Sequence, residues 1–216
     1  MKKILFIIFL LVLIIVPVHA IDGVFPIINA VVDGDYAKVK EMLKEEKDKD
    51  IKTQALSSAV VNYKKDIIKL LVNNGADVNG KNGSILWWAS YSGQIDTVKL
   101  LIQNGADVNL YDDNSSPLMA TSKKEIAEML IKNGADVNFQ REFDGQTVLI
   151  FHSYVGSNDK DIIELLIKNG AKVNVQDNDC KTALDYADNR KDFQVIKLLN
   201  ENGAKYGKEF KSCVKK

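Results

Sequence analysis

Several residue types are scarce in this 216-residue sequence, and each shortage narrows what the protein can do. There are two cysteines and two histidines, and the only arginines are Arg141 and Arg190. The 29 basic side chains balance the 29 acidic ones, so the chain has no net field to hold a phosphate backbone. Base and phosphate recognition relies on arginine forks, so nucleic acid is not expected among the partners.

The one long apolar run lies near the N-terminus, at residues 4–16, after Lys2 and Lys3 and before the small-residue motif Val18-His19-Ala20. As a helix this run would span about 20 Å at ~1.5 Å per residue, which is less than the ~30 Å of a bilayer core. The pattern predicts a signal peptide at residues 1–20, cleaved after Ala20, and an exported protein that is periplasmic or secreted. An uncleaved membrane tether is the alternative.

The phrase Asn-Gly-Ala occurs five times in the remaining chain. Its glycines recur at intervals of 30, 29, 36 and 33 residues, at Gly75, Gly105, Gly134, Gly170 and Gly203. A pair of large apolar residues precedes each glycine in one register, with another apolar residue three positions earlier, which predicts an amphipathic helix. Glycine enters the left-handed conformation after a helix almost freely, whereas other residues lose ~1–2 kcal/mol. Each glycine therefore marks a helix end.

A shorter helix is predicted before each of these helices. In four repeats a hydroxyl residue precedes an apolar stretch and can cap a helix by accepting a backbone N–H; these residues are Ser84, Ser116, Thr147 and Thr182. Pro117 suits the first helical position, where no N–H is required. After the glycine phrase, a Val-Asn pair predicts an extended residue and a turn, the base of a short hairpin. The four pairs begin at Val78, Val108, Val137 and Val173.

These units resemble ankyrin repeats, through Ser-Pro-Leu-Met, Thr-Ala-Leu-Asp-Tyr-Ala and four copies of Asn-Gly-Ala-(Asp or Lys)-Val-Asn. The resemblance implies an all-α solenoid of about six helix-turn-helix repeats with short β-hairpin loops over residues 21–207. The predicted repeats are an N-terminal cap at 24–52, then 53–82, 83–114, 115–145, 146–180 and 181–207, followed by a basic tail at 208–216. The family's His after Leu is absent, and we expect the length differences between repeats to fall in the turns.

Little in the sequence indicates catalysis. His152 has no evident Cys or Asp partner and is interpreted as a structural or surface residue. The acidic stretches 45–46 and 177–179 lack the spacing of a calcium loop and are interpreted as solvated turns. Because the repeats occupy nearly the whole chain, we expect a protein that is not an enzyme, with no cofactor, metal or small-molecule substrate.

The two cysteines, Cys180 and Cys213, occupy the same position in successive hairpin turns. Stacked repeats lie ~8–10 Å apart, whereas a disulfide needs Cα atoms within ~7 Å, so a regular array would keep the two apart. A disulfide requires the C-terminal tail to fold back onto Cys180. That pairing is one hypothesis, and two free thiols are the other.

The resemblance also implies a concave binding surface made of hairpin tips and first helices. The candidate partner-binding residues at these positions are Trp88, Tyr91, Leu110, Tyr111, Phe139, Arg141, Phe143 and Tyr154. Aromatic residues and arginine commonly anchor protein interfaces, although Trp87 and Phe151 can equally fill space in the packing. We expect a monomeric exported adaptor that binds a protein on this surface. The alternatives are an inhibitor or immunity protein acting through the hairpin at 140–146, and a membrane-tethered scaffold.

Overall fold

The computed structural model describes residues 26–80, 83–111, 115–155 and 159–210. The predicted signal peptide and residues 211–216 of the basic tail lie outside the described residues. The structure divides into two compact units, which we call unit 1, ending at Asp77, and unit 2, beginning at Val78. Within the described ranges, no helix is both long enough and apolar enough to cross a membrane.

The described part of unit 1, residues 26–77, contains four helices: α1 Pro26–Asp33, α2 Tyr36–Glu45, α3 Lys49–Val61 and α4 Lys65–Asn73. Helix α1 packs on α2 and α3, and α4 packs on α2 and α3. Their shared core contains Val31, Val39, Leu56 and Leu71, all fully buried. The Asp48 carboxylate caps α3 by accepting from the backbone N–H groups of the first turn, so the predicted repeat boundary at 52/53 lies inside this helix.

Among its described residues, unit 2 contains eight α-helices and a C-terminal 3-10 turn at Gly207–Glu209. The helices are α5 Ser84–Tyr91, α6 Ile95–Gln103, α7 Pro117–Ala120, α8 Lys124–Lys132, α9 Val148–Val155, α10 Lys160–Lys168, α11 Ala183–Asn189 and α12 Phe193–Glu201. The part of the chain that the structure describes has twelve α-helices in six successive pairs and no β-strand, which confirms an all-α repeat solenoid. The number of six repeats remains a prediction.

The helices of unit 2 form two layers. The first helices of the pairs, α5, α7, α9 and α11, pack on one another in order, and so do the second helices, α6, α8, α10 and α12. The predicted apolar stripes of the second helices face the core, with eight residues at most 1% exposed: Val98, Leu101, Ile126, Leu130, Ile162, Leu166, Val195 and Leu199. Burial of these stripes is the main force holding each pair together.

The five Asn-Gly phrases end helices as predicted, since their glycines have φ between 75° and 91°. The asparagine has a role that the sequence interpretation missed. In each phrase its side-chain amide donates to the backbone carbonyl four residues earlier, over 2.7–2.8 Å. The last helical turn therefore has an acceptor satisfied by a side chain, where a helix end otherwise leaves its carbonyls without helical partners.

The asparagines of the Val-Asn pairs link successive hairpins. The Asn109 side chain accepts from the Asp136 backbone N–H at 2.8 Å and donates to the Gly134 carbonyl at 2.9 Å. Asn138 and Asn174 repeat the same two bonds to the next hairpin, and Asn79 accepts from the Asp107 N–H. These residues, interpreted from the sequence only as turn formers, therefore connect neighbouring repeats.

The helix starts agree with the sequence except in the first hairpin of unit 2. Ser116 and Thr147 accept from the backbone N–H three residues later, as predicted. Ser84 was wrongly predicted as a cap, because Gly83 holds that position in the left-handed conformation and Ser84 is already helical.

The prediction that length differences fall in the turns was also wrong for one repeat. Helix α7 has four residues, whereas α5 and α9 have eight each and α11 has seven. After Ala120 the chain is extended at Thr121, which is 1% exposed. The short repeat is thus shorter in its first helix and not in its turns.

Candidate partner-binding face

The candidate site lies in unit 2, on the face formed by α5, α7, α9 and α11 with the hairpin turns 108–111, 137–147 and 173–182. We call this the first-helix face. Its helices are apolar around much of their circumference, so they bury one side and leave large rings exposed on the other. On α9, for example, Leu149 and Ile150 are each 1% exposed, whereas Tyr154 is 52% exposed.

Three aromatic residues of α5 form one cluster. The Trp87 and Tyr91 rings stack 5.2 Å apart, and the Trp88 ring meets both edge-on at 5.3 and 5.8 Å. Such contacts contribute ~0.5–1.5 kcal/mol each beyond burial. Trp87 is half-buried and the N–H of its ring is buried without a partner, whereas Tyr91 is 58% exposed. The cluster therefore combines packing with an exposed edge.

At the hairpin tips, Tyr111 and Phe139 lie against each other with ring centroids 5.5 Å apart. Tyr111 is 49% exposed and Phe139 is half-buried. Leu110, another candidate, packs against the preceding hairpin, because a Cβ placed on Gly83 would lie 2.3 Å from the Leu110 Cβ. Leu110 thus fills space between hairpins, and Tyr111 offers the exposed ring.

Arg141 is fully engaged within its own hairpin. Its guanidinium donates to the Asp144 carboxylate at 2.7 and 3.1 Å and to the Gln146 side chain at 2.7 Å. It also lies over the rings of Phe143 and Phe151, 4.9 and 5.2 Å from their centroids. The side chain is 14% exposed, so it positions its neighbours and is not a free anchor.

The long hairpin that carries Phe143 is braced on two sides. Its own backbone closes through Arg141 N–H to Gln146 O and Gly145 N–H to Arg141 O, both 2.9 Å. Asn178 of the next hairpin donates to the backbone carbonyls of Asp144 and Phe143, at 2.9 and 3.3 Å. Gly145, at φ 71°, is needed there, because a Cβ would lie 2.6 Å from the Asn178 side chain. Phe143 is 64% exposed on this fixed support.

Tyr154 lies edge-on to Tyr186, 5.6 Å away, and its carbonyl accepts from the Arg190 guanidinium. Below it, Asp177 accepts from the Tyr186 hydroxyl at 2.5 Å and from two backbone N–H groups of its own turn. Burial, followed by the hydrogen bond with Asp177, raises the pKa of Tyr186. Asp177 is 5% exposed, so its interpretation as a solvated turn residue was wrong.

His152 does have an acidic partner, contrary to the sequence interpretation. Its Nδ1 lies 2.8 Å from the Asp159 carboxylate and its Nε2 lies 3.2 Å from the Leu118 carbonyl. Leu118 belongs to α7, which ends two residues later, so the imidazole of the following repeat occupies the end of the shortened helix. With 1% exposure, His152 is a buried link between α9 and α7.

The remaining predictions concern metals and cysteines. Among the residues that the structure covers, no group of three or more His, Cys, Asp or Glu side chains is placed to hold a metal ion. Cys180 has a left-handed backbone, with φ 64°, in the hairpin next to Gly207. Cys213 lies outside the described residues, so the disulfide remains a prediction.

Comparison with known protein families gives one match. A family model of ankyrin repeats, in three copies, matches residues 27–112 and 118–209, which together make up more than half of the chain. No curated protein matches the chain.

Proposed function

The chain belongs to the ankyrin repeat family, and we propose that it is an adaptor, without enzymatic activity, that binds a protein partner on the first-helix face. Ankyrin repeats are generic protein–protein interaction modules, and proteins built from them are typically not enzymes. In proteins of this kind the concave surface is made of the same elements, hairpin tips and first helices.

The observation that carries the proposal is the set of exposed rings on an ordered support. Tyr91, Tyr111, Phe143 and Tyr154 are each 49–64% exposed, and the hydrogen-bonded hairpin holds Phe143 in place. Large rings that are fixed before binding contribute contact area at a low ordering cost, as hot spots do. A monomer, exported to the periplasm or secreted, is the form that we propose; export rests on residues 1–20 alone.

The proposal is tested by changing Trp88, Tyr91, Tyr111 and Phe143 together to Ala. A partner is first identified by affinity capture from the envelope fraction and is then purified. We expect the variant to lose binding to that purified partner while its helical circular dichroism is unchanged.

The matched control is a double change to Ala at Phe193 and Tyr63, which are 75% and 63% exposed and lie outside the first-helix face. It removes exposed aromatic area elsewhere and should bind normally. Unchanged binding by the four-residue variant would refute the assignment of the face.

A second candidate function is inhibition of a secreted enzyme by the hairpin at 140–146. The observation that favours it is the bracing of this hairpin by Arg141 and Asn178, because a rigid loop inserts into an active site with little loss of entropy. If the captured partner is an enzyme, the chain should suppress its activity. The single change Phe143→Ala should then restore that activity, whereas Tyr91→Ala should have a smaller effect.

A membrane-tethered scaffold is the third possibility from the sequence, and it requires that residues 1–20 be retained. Sequencing the N-terminus of the native protein decides between the two forms. Under our proposal the first residue is Ile21, and a chain that still begins at Met1 would favour the tether.

A further inference from the structure

Charged side chains are segregated between the two layers of unit 2. The second helices carry six lysines together with six acidic residues. The first helices read SILWWASY, PLMA, VLIFHSYV and ALDYADN, so these four elements contain no Lys, Arg or Glu. Their charged residues are Asp185 and Asp188, apart from His152, which is buried against Asp159. The first-helix face is thus apolar with acidic groups, unlike the mixed charge behind it.

The hairpin tips strengthen this difference. Glu142 and Asp179 are exposed there, whereas the positive charge of Arg141 is paired with Asp144 and covered by rings. Lys181 is half-buried, with its ammonium 5.4 Å from the centre of the Tyr186 ring. The tips therefore point carboxylates outward and hold their cations against the protein.

At the C-terminal end of the face, Asp188 is exposed near Tyr206. Burial, followed by the charges of Asp188, Asp185 and Glu209, raises the pKa of the Tyr206 hydroxyl. Asp185 is occupied, since it accepts from the backbone N–H groups of Thr182 and Gly207. The basic side chains near this end of the face are Arg190, whose guanidinium donates to the Tyr154 carbonyl, the exposed Lys191, and Lys208, whose ammonium lies 5.1 Å from the centre of the Tyr206 ring.

We propose, resting on the proposed function, that the occupant of the first-helix face is a segment of the partner protein with an apolar centre and flanking Lys or Arg residues. Its apolar side chains contact Tyr91, Phe143 and Tyr154. Its cations lie towards Glu142, Asp179 and Asp188 and over exposed ring faces, which attract positive charge. An acidic segment is rejected, because its carboxylates would meet like charges on this face.

The test uses a phage library of random 16-residue peptides as the probe, selected on the immobilised full chain. We expect the selected peptides to be rich in aromatic and aliphatic residues and to carry more Lys and Arg than Asp and Glu. Binding of individual synthetic peptides from this set should weaken with increasing salt, because the attracting charges are exposed.

Two sets of neutral substitutions separate local charge from net charge. Glu142→Gln, Asp179→Asn and Asp188→Asn together should lower the affinity of the selected peptides about tenfold. The control makes the same change in net charge on the second helices, through Glu128→Gln, Glu164→Gln and Glu201→Gln, and should lower affinity less than twofold.

Each outcome bears on a different proposal. If the selected peptides show no excess of basic residues, or bind the first neutral variant as tightly as the parent, the inference about charge is wrong. Loss of their binding on the Trp88, Tyr91, Tyr111 and Phe143 variant would still support the face itself. If no peptide distinguishes the parent from that aromatic variant, both proposals fail.

Discussion

Units 1 and 2 are both built of paired helices, but they connect successive pairs in different ways. In unit 2 each pair is linked to the next through asparagines in hairpin turns, such as Asn138. In unit 1 a three-residue link joins α2 to the 13-residue α3. Here side chains of α3, and not hairpin asparagines, bond to the turn that follows α4. Thr53 accepts from the Asp77 N–H at 2.9 Å, and Lys49 pairs with the Asp77 carboxylate. The described part of unit 1 has no hairpin tips like those that carry Tyr111 and Phe143 in unit 2.

Under the proposed function, the hairpins are the elements that give unit 2 part of its binding face. Helix pairs alone bury an apolar core in both units. The turns of unit 2 add a line of side chains that are held by neighbouring turns and project away from the core. Four predictions test this comparison, and the two with the largest expected effects come first.

The predicted disulfide would stabilise the last hairpin of unit 2. Closing a loop of about thirty residues is worth ~3–4 kcal/mol in the chain-entropy model, so reduction should lower the stability of unit 2 by about that amount. The measurement is urea unfolding with and without reductant, with the intact mass taken after alkylation under non-reducing conditions. Cys180→Ser should match the reduced protein, and alkylation of two thiols in the untreated protein would show that the bond is absent.

The buried link at the short helix α7 should also be costly to break. His152→Ala leaves the Asp159 carboxylate buried without its partner and opens a cavity, which we expect to cost ~3–5 kcal/mol. Hydrogen exchange should report the largest loss of protection in α7, α9 and α10. A double-mutant cycle with Asp159→Asn isolates the pair, and additive losses would contradict a direct coupling.

The links between hairpins should be stronger in unit 2 than the corresponding link in unit 1. Asn138→Ala removes two hydrogen bonds to the next hairpin and is expected to cost ~2 kcal/mol. Thr53→Val removes one bond to Asp77 and one within its own helix, to the Lys49 carbonyl. Because such bonds within a helix add little stability, this variant should cost ~1 kcal/mol. Urea unfolding of both variants gives the comparison. Equal losses of stability would mean that the hairpin bonds of Asn138 stabilise the fold no more than the bonds of Thr53 near the start of α3.

The smallest effect concerns two strained turn residues, one in each unit. Tyr63 and Lys191 have φ of 56° and 59°, in a region that disfavours residues with a side chain. Tyr63→Gly and Lys191→Gly should each raise stability by ~0.5–1 kcal/mol, measured by thermal unfolding. Gly93→Ala at the equivalent turn, where φ is 69°, should have the opposite sign.

The sequence predicted the repeated features well, because they depend on neighbours close in the chain. Helix ends at glycines such as Gly105 and the buried stripe that contains Leu101 follow from local spacing. Roles that depend on a partner one repeat away were missed. The His152 ring bonds Asp159 in its own repeat and also the Leu118 carbonyl, 34 residues earlier. Leu118 lies on a helix whose shortness could not be predicted from the repeat spacing.

The sequence also predicted the exposure of the candidate residues only in part. Tyr91, Tyr111, Phe143 and Tyr154 proved exposed on one layer of unit 2. Arg141 and Leu110 have other roles, because guanidinium partners and close hairpin packing are set by three-dimensional contacts. The lack of basic residues on the first helices can be read from the sequence. It indicates a continuous surface without basic residues only because these helices form one layer.

The Asn-Gly phrase has a consequence for chemical ageing. In an unfolded chain, the glycine nitrogen can attack the preceding carboxamide, expelling ammonia and leaving a succinimide that hydrolyses to a charged residue. In the folded repeats the carboxamide donates to a helix carbonyl, and the glycine N–H donates to another over 3.0–3.1 Å, so both reacting groups are held. These five sites are open to deamidation in the unfolded protein and should be protected in the native one, so ammonia loss there would report earlier episodes of unfolding.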